Sequence, residues 1–302
     1  MSKISTPAIE KQKRLAGKRP AGYVASPLKE AWRRLIRNKP AVFGLIVILV
    51  FILVAIFADV IAPFPYEKQD YSAILKPPGP GHIMGTDIYG RDIFSRVIYG
   101  ARISLPIGLL CASCSLLFGG VVGIVAAFYG KWLEDLIMRI CDVLQAIPPM
   151  LLAIAVLAAL GNGVGNMIIA NTLACVPLYA RISRAAIYTV KENEYIEASK
   201  AIGAGNLRQM FVHMLPNALG PIIVTTTFGI ASSILVVSSL SYLGLGITPP
   251  TAEWGAMLSD AREYITKAPY YIVFPGLMIM ITVFAINLFG DGLRDALDPR
   301  LK

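Results

Sequence analysis

The chain has 302 residues, of which 56% are hydrophobic and 16% charged, and its mean hydropathy is +0.63. Soluble globular domains carry roughly 25% charged residues, so the composition excludes an ordinary water-soluble fold and points to a membrane protein. The net charge of +9 does not mark a nucleic-acid binder, because the basic residues cluster beside apolar segments, where they set orientation in a bilayer. Cys111, Cys114, Cys141 and Cys175 all lie in apolar stretches and read as small packing residues. With His82 and His213 the only histidines, a histidine-rich metal site is excluded.

Met1 to Gly22 is polar and basic and holds too little apolar material to fold alone. Ser26 and Pro27 read as an N-cap and first helical position. Behind them Leu28, Trp32, Leu35 and Ile36 form a stripe opposite Arg33, Arg34 and Arg37, the pattern of a helix lying in a membrane surface. Ala41 to Ala62 is the first predicted span, long enough at about 1.5 Å per residue to cross a hydrocarbon core of about 30 Å. Its position after forty residues argues for a retained anchor and against a cleaved leader.

Residues 63–102 read as a polar loop, rich in proline and glycine before Met84, that contains GTDIYGRDIFSRVIYGARISL from Gly85 to Leu105. Asp87, Arg91, Asp92, Arg96 and Arg102 offer ion-pair partners around a short helix with Ile93, Phe94, Val97 and Ile98 on its apolar side, a clamp bracing the loop against the spans. Ile103 to Tyr129 is the second predicted span, with Gly119, Gly120 and Gly123 allowing close helix approach. Leu133 to Leu160 is the third, its entry charged by Glu134, Asp135, Arg139 and Asp142 and its middle kinked at Pro148 and Pro149. Asn166 to Tyr188 is the fourth, ending in Arg181 and Arg184.

The stretch from Glu194 to Asn217 is polar although it joins two apolar segments, so it is expected to be a structured loop in water. Its grammar is helix, break, helix: Ile196 to Ala201 form a short helical pattern, Gly203 and Gly205 permit backbone angles closed to other residues, and Asn206 reads as the N-cap of a second helix. Leu207, Met210, Phe211 and Met214 then recur as one apolar face, and Pro216 marks the end of that helix. The expected outcome is an elbow with a small flat knob at Ala198 and Ala201.

Ala218 to Leu245 is the fifth predicted span, and its serines and threonines either bond their own helix or line a wet path. Thr248 to Tyr271 reads as an outer loop in which Trp254, Tyr264, Tyr270 and Tyr271 suit a membrane interface. Ile272 to Phe289 is the sixth span, and Asp291, Arg294, Asp295 and Asp298 read as anchors of the tail near the cytoplasmic loop. With the N-terminus inside, Lys131, Arg181, Arg184, Lys191, Lys200, Arg208, Arg294, Arg300 and Lys302 join the basic tail on the cytoplasmic side, and fewer basic residues fall outside.

Two of these runs resemble motifs of one family. Glu197-Ala198-Ser199, three residues, Gly203, nine residues, then His213-Met214-Leu215-Pro216 resembles the "EAA" loop of the permease subunits of bacterial ABC importers. Ser199 replaces the second alanine and His213 the usual isoleucine, changes too small to remove the knob. The run from Gly85 to Leu105 resembles the signature of the dipeptide, oligopeptide and nickel branch of that family, and the ending FGDGLRDALDPRLK is typical of the same branch.

The resemblance implies an all-α, polytopic membrane protein with six transmembrane helices of the type I importer permease fold and both termini cytoplasmic. In residue ranges this is a tail and elbow helix at 1–40, a first span at 41–62, an outer loop at 63–102, and a core of five further spans at 103–302 with a coupling loop at 190–216. It implies ATPase-coupling roles for Glu197, Ala198, Ser199, Ala201, Ile202, Gly203, Leu215 and Pro216. The outer motif, Gly85, Thr86, Asp87, Gly90, Arg91, Asp92, Ser95 and Arg96, takes a structural role. The implied partners are a second, homologous permease, two ATPase subunits that bind ATP and magnesium, an extracytoplasmic binding protein and membrane lipid. Dipeptides, oligopeptides, glutathione and nickel complexes are the cargoes of the branch.

The chain itself holds no phosphate loop, no HExxH and no G-x-S-x-G elbow, so no cofactor and no catalysis are expected in it. Two other readings are a secondary, ion-coupled transporter, which needs intramembrane acids, and a membrane scaffold without an ATPase, which does not need the Glu197 to Pro216 pattern.

Overall fold

The computed structural model describes residues 27–247 and 250–298. The predicted tail at Met1 to Gly22, the Ser26 cap, Thr248, Pro249, Arg300 and Lys302 lie outside the described residues.

In chain order the helices are α1 (Pro27–Arg37), α2 (Lys39–Ile56), the single turn α3 (Ala58–Ile61), α4 (Ile93–Tyr129), α5 (Lys131–Gln145), α6 (Pro149–Leu160), α7 (Val164–Lys191) and α8 (Glu194–Ala201). They are followed by α9 (Asn206–Tyr242), α10 (Trp254–Ala261) and α11 (Pro269–Leu297). No strand forms among the described residues, only isolated bridges at Gly79/His82 and Thr86/Asp92. Four helices, α2, α4, α9 and α11, are long and apolar enough to cross a membrane, and α5 with α6 makes a fifth candidate as a bent pair. Helix α7 is long enough, at 28 residues, but more polar, and it packs at the centre of the bundle.

Three expected boundaries move. The first span ends at Ile56, where Arg102 donates to the Ala55 and Ile56 carbonyls at 2.5 and 2.9 Å and to Asp59 at 2.8 Å, so the chain turns at Phe57 before the single turn α3. The outer loop ends at Asp92 instead of residue 102: nothing between Ile93 and Ile103 breaks a helix, and the expected short helix and second span are one 37-residue rod. The third span is not a kinked rod but two helices meeting at 86°, because Pro148 and Pro149 in succession remove two backbone donors and bar Ile147 and Pro148 from helical angles.

Close packing follows the glycines where backbones touch. A Cβ on Gly123 would lie 2.1 Å from the Ala180 carbonyl oxygen, and one on Gly119 would lie 2.5 Å from that of Val176, so α4 and α7 meet backbone to backbone. We expect Gly123→Val to force these helices apart. Overpacking costs roughly 1–3 kcal/mol where side chains can yield, and here the obstacle is backbone, so the lost stability should reach or pass the upper end. The yield of folded protein from membranes and its unfolding midpoint in mixed micelles check this.

The elbow helix α1 leans on the far end of α11. Leu35, Ala41 and Ala296 form a small buried cluster, and Asn38 caps α2 by accepting from the Ala41 N–H. Among the C-terminal acids Asp295 faces the elbow, accepting from Asn38 at 3.5 Å. The expected interface aromatics Trp254 and Tyr271 are fully buried, since α10 folds back into the bundle between α4 and α11.

Candidate functional site

Helix α8 is fixed from one side only. Ile196 is buried with Met210, Met214, Ile187 and Val190 in one apolar cluster, and Ser199, also buried, donates to the Ile196 carbonyl at 2.8 Å, so its hydroxyl is satisfied within the helix. Glu197, Ala198, Ala201 and Gly203 are exposed, and Ile202 is 86% exposed. An isoleucine this bare, beside Leu207 at 69%, is an apolar spot on an otherwise charged loop and fits a protein surface better than water.

The turn after α8 is a complete Schellman motif. Gly203 has φ +82°, its N–H donates to the Lys200 carbonyl at 3.0 Å, and the Ala204 N–H reaches the Ser199 carbonyl at 3.0 Å. The buried Gln209 closes the motif by donating to the Ala204 carbonyl at 2.7 Å, a residue the sequence pattern did not single out. Asn206 is not a cap: Gly205 holds that position and Asn206 begins the helix.

The expected apolar face also divides. Met210 and Met214 are buried while Leu207 and Phe211 are exposed, because Gln209–Met214 forms a π-type turn that advances the register. Leu215, half-buried, and exposed Pro216 follow it in a helix that continues to Tyr242, so Pro216 ends nothing. The widened turn accommodates a proline ring that would clash with the carbonyl four residues earlier.

At the other end of the bundle the outer motif forms one buried cluster. Thr86, Asp87, Arg91, Asp92, Ser95 and Arg96 are all buried. Asp87 accepts from the N–H groups of Tyr89 and Arg91 at 2.8 and 2.9 Å and from the Arg91 guanidinium at 2.5 Å, with Arg96 3.6 Å away. Arg91 continues to Asp260 of α10 at 3.2 Å, and Arg96 donates to the Tyr66 and Pro250 carbonyls, each at 3.2 Å. Asp92 caps α4 through Ser95 and pairs with His82 at 2.9 Å. Thr86 joins the Ala73 carbonyl to the Lys76 N–H.

Gly85 and Gly90 both have positive φ, and a Cβ on Gly90 would lie 1.8 Å from the Asp70 carbonyl, so the fold admits only glycine there.

Three members of this cluster were not legible in the sequence. Glu253 accepts from the Gly255 and Ala256 N–H groups and from Ser104, starting α10. Trp254 donates to the Val97 carbonyl at 2.9 Å and lies on Gly100. Asp260 closes the Arg91 chain. Burial pushes the carboxyls of Glu253 and Asp260 above the ordinary carboxylate range, against the pull of the Gly255 and Ala256 N–H groups on the first and of Arg91 on the second. Nearly every polar group of the cluster is partnered within it, the exception being the buried Arg96 Nε, which makes no hydrogen bond and lies 3.6 Å from Asp87.

Comparison with known proteins agrees with this arrangement. Residues 119–302 match the family described as the binding-protein-dependent transport system inner membrane component, and residues 26–78 match the N-terminal TM domain of oligopeptide transport permease C. The dipeptide transport system permease protein DppC of Alkalihalophilus pseudofirmus is 46% identical over 92% of this chain and 91% of its own. The di/tripeptide transport system permease protein DppC of Pseudomonas aeruginosa is 45% identical over 94% and 95%. The glutathione transport system permease protein GsiD of Pectobacterium atrosepticum is 42% identical over 92% and 93%.

Among solved structures, an inward-facing form of the MetNI methionine ABC transporter superposes with a TM-score of 0.57 at 18% identity, covering 68% of this chain and 98% of that one, a likeness of fold. The chain therefore belongs to the binding-protein-dependent transport system inner membrane component family, as a multi-pass, all-α inner-membrane permease of an ABC importer.

Proposed function

We propose that this chain forms half of the translocation pathway of an ATP-driven importer of di- and oligopeptides, and that α8 is the part a separate ATPase grips. The observation that carries the reading is α8 itself: a two-turn helix with Ala198, Ala201 and Ile202 exposed, set between α7 and α9. A partner that seats on this face gains the burial of Ile202 and Leu207 and meets the exposed Glu197. The cargo class rests on relatives named for dipeptide, di/tripeptide and glutathione transport, all peptides in chemistry. A homologous second permease, two ATPases that bind ATP and magnesium, and an extracytoplasmic binding protein complete the assembly. With the bent pair and α7 each counted as one crossing, the chain spans six times with both ends inside. The ion-coupled alternative is disfavoured because the acids Glu134 and Asp142 each face a basic partner, Arg184 and Arg181.

The test is co-purification with a stoichiometric ATPase together with two variants. At Gly203 a Cβ would meet nothing within 4 Å but would sit at φ +82°, so Gly203→Val strains the turn alone. Membrane insertion should persist while ATP-dependent uptake into vesicles falls at least tenfold. Glu197→Lys should weaken ATPase retention on gel filtration in detergent. Unchanged uptake with the first and an intact complex with the second would reject the coupling role.

A further inference from the structure

Helix α5 is held in place differently from its neighbours. Of its 15 residues only Glu134 and Cys141 are buried, so apolar packing gives it little grip. Trp132, Leu136, Ile140 and Val143 all point out of the bundle. Cys141 is buried and Leu133, Ile137, Met138 and Leu144 are half-buried, while its polar ties to the rest of the chain are ionic. The Glu134 carboxylate accepts from the Arg184 guanidinium and the Tyr188 hydroxyl, and Asp142 pairs with Arg181. Both arginines stand on α7, the helix that ends at Lys191 and reaches α8 through Glu192 and Asn193.

Each end of α5 is a joint. Gly130 has φ +63° and Lys131 φ +52°, a left-handed pair that a lysine adopts only at a cost. At the far end the axis swings 86° into α6. The near joint is pinned, because Lys191 donates to the Ala127 and Phe128 carbonyls at 2.7 and 3.1 Å and so binds the last turn of α4 to the last turn of α7. A segment jointed at both ends follows a neighbour's movement only if something ties it there. The Glu134 tie is the stronger one, its carboxylate 10% exposed, whereas both members of the Asp142–Arg181 pair are about half exposed and screened by solvent.

We propose that Glu134, held by Arg184 and Tyr188, is a positioning residue for transport. It makes α5 travel with α7, so that a displacement of α8 is delivered to the 86° bend and moves α6. The inference rests on the coupling reading of α8 given above. It adds the route by which that input reaches the membrane-embedded part of the chain.

The experiment uses the complete complex in proteoliposomes, with this chain's four cysteines replaced by serine and labelled alanylalanine as the probe. Glu134→Gln should lower dipeptide imported per ATP hydrolysed about tenfold, while assembly and the rate of ATP hydrolysis stay within twofold. A merely structural role would lower assembly and hydrolysis together. In Glu134→Gln, cysteines at Asp142→Cys and Arg181→Cys joined by a short bis-methanethiosulfonate linker should restore at least half of the lost coupling, since a covalent tie replaces the ionic one.

A second readout needs no cargo. The maleimide-labelling rate of Met150→Cys, just past the bend, should change on adding ATP when Glu134 is present and should stay constant in the Glu134→Gln background. Coupling ratios unaltered by Glu134→Gln, a linker that fails to rescue, or an ATP-dependent labelling change that survives the substitution would each overturn the proposal. If Gly203→Val is silent as well, the fault lies with the coupling reading; if Gly203→Val uncouples and Glu134→Gln does not, it lies with this inference alone.

Discussion

Asp87→Ala should cost about 3–5 kcal/mol, the loss expected when one member of a buried ionic network is removed and its partners stay behind. Two guanidiniums depend on this carboxylate, and both are essentially inaccessible to water. Arg91 would keep Asp260 at 3.2 Å, but Arg96 would be left with two carbonyl acceptors and only the more distant Asp260 as countercharge. Two backbone N–H groups, of Tyr89 and Arg91, lose their acceptor at the same time. Asp87→Asn should fall between wild type and Asp87→Ala, because an amide oxygen still serves those N–H groups while the charge is gone. Unfolding midpoints in mixed micelles, read for the three proteins in the same detergent, give the order directly. A midpoint for Asp87→Ala within error of wild type would show that the brace carries no stability.

Trp254→Ala is expected to cost a similar amount, about 3–5 kcal/mol for a large aromatic emptied from a packed site. The indole is wholly buried among Ile93, Val97, Ala101, Met257 and Tyr271, and Gly100 leaves no side chain that could fold into the vacancy. Trp254→Phe keeps most of the volume and forfeits the bond to the Val97 carbonyl, so roughly 1–2 kcal/mol is expected for it. Because α10 is far from α8 in the bundle, neither substitution should change ATPase retention at fixed amounts of folded protein. A loss of retention that tracks Trp254→Phe would contradict that separation.

The four long apolar helices α2, α4, α9 and α11 were legible because hydrophobic length is a strong signal, and the turns at Gly85, Gly90 and Gly203 were legible because glycines stand at fixed spacing among charges. What escaped was whatever depends on a long-range partner. Trp254 and Tyr271 look like interface aromatics in a linear reading, yet they are interior, since the sequence does not show α10 folding back between α4 and α11. Glu253 and Asp260 have no local pattern that ties them to a motif so far back in the chain. The single face expected of Leu207, Met210, Phe211 and Met214 assumed an α-helical period, and the π-type turn ahead of Pro216 broke it. The prolines at 148 and 149 mark a break in a linear reading, but the size of the turn, 86° between α5 and α6, is not written in their order. Most hydroxyls of α9 went as their chemistry suggested: Thr225, Thr226, Thr227 and Ser239 bond the carbonyl four residues back, and Ser233 meets Asn171 of α7 at 3.1 Å, whereas the buried Ser238 hydroxyl has no hydrogen-bond partner.

The unbroken run of α4 bears on the choice of lipid. At 37 residues it is about 55 Å long, well beyond a hydrocarbon layer of about 30 Å, and its first turns, with Arg96 and Arg102, belong to the aqueous end. The braced headpiece thus stands on a post about 15 Å tall. Bilayers of longer or shorter acyl chains would press on the apolar belt below, where tilt and local thinning absorb the mismatch. The arginine and aspartate pairs above the belt would keep the same surroundings in either membrane.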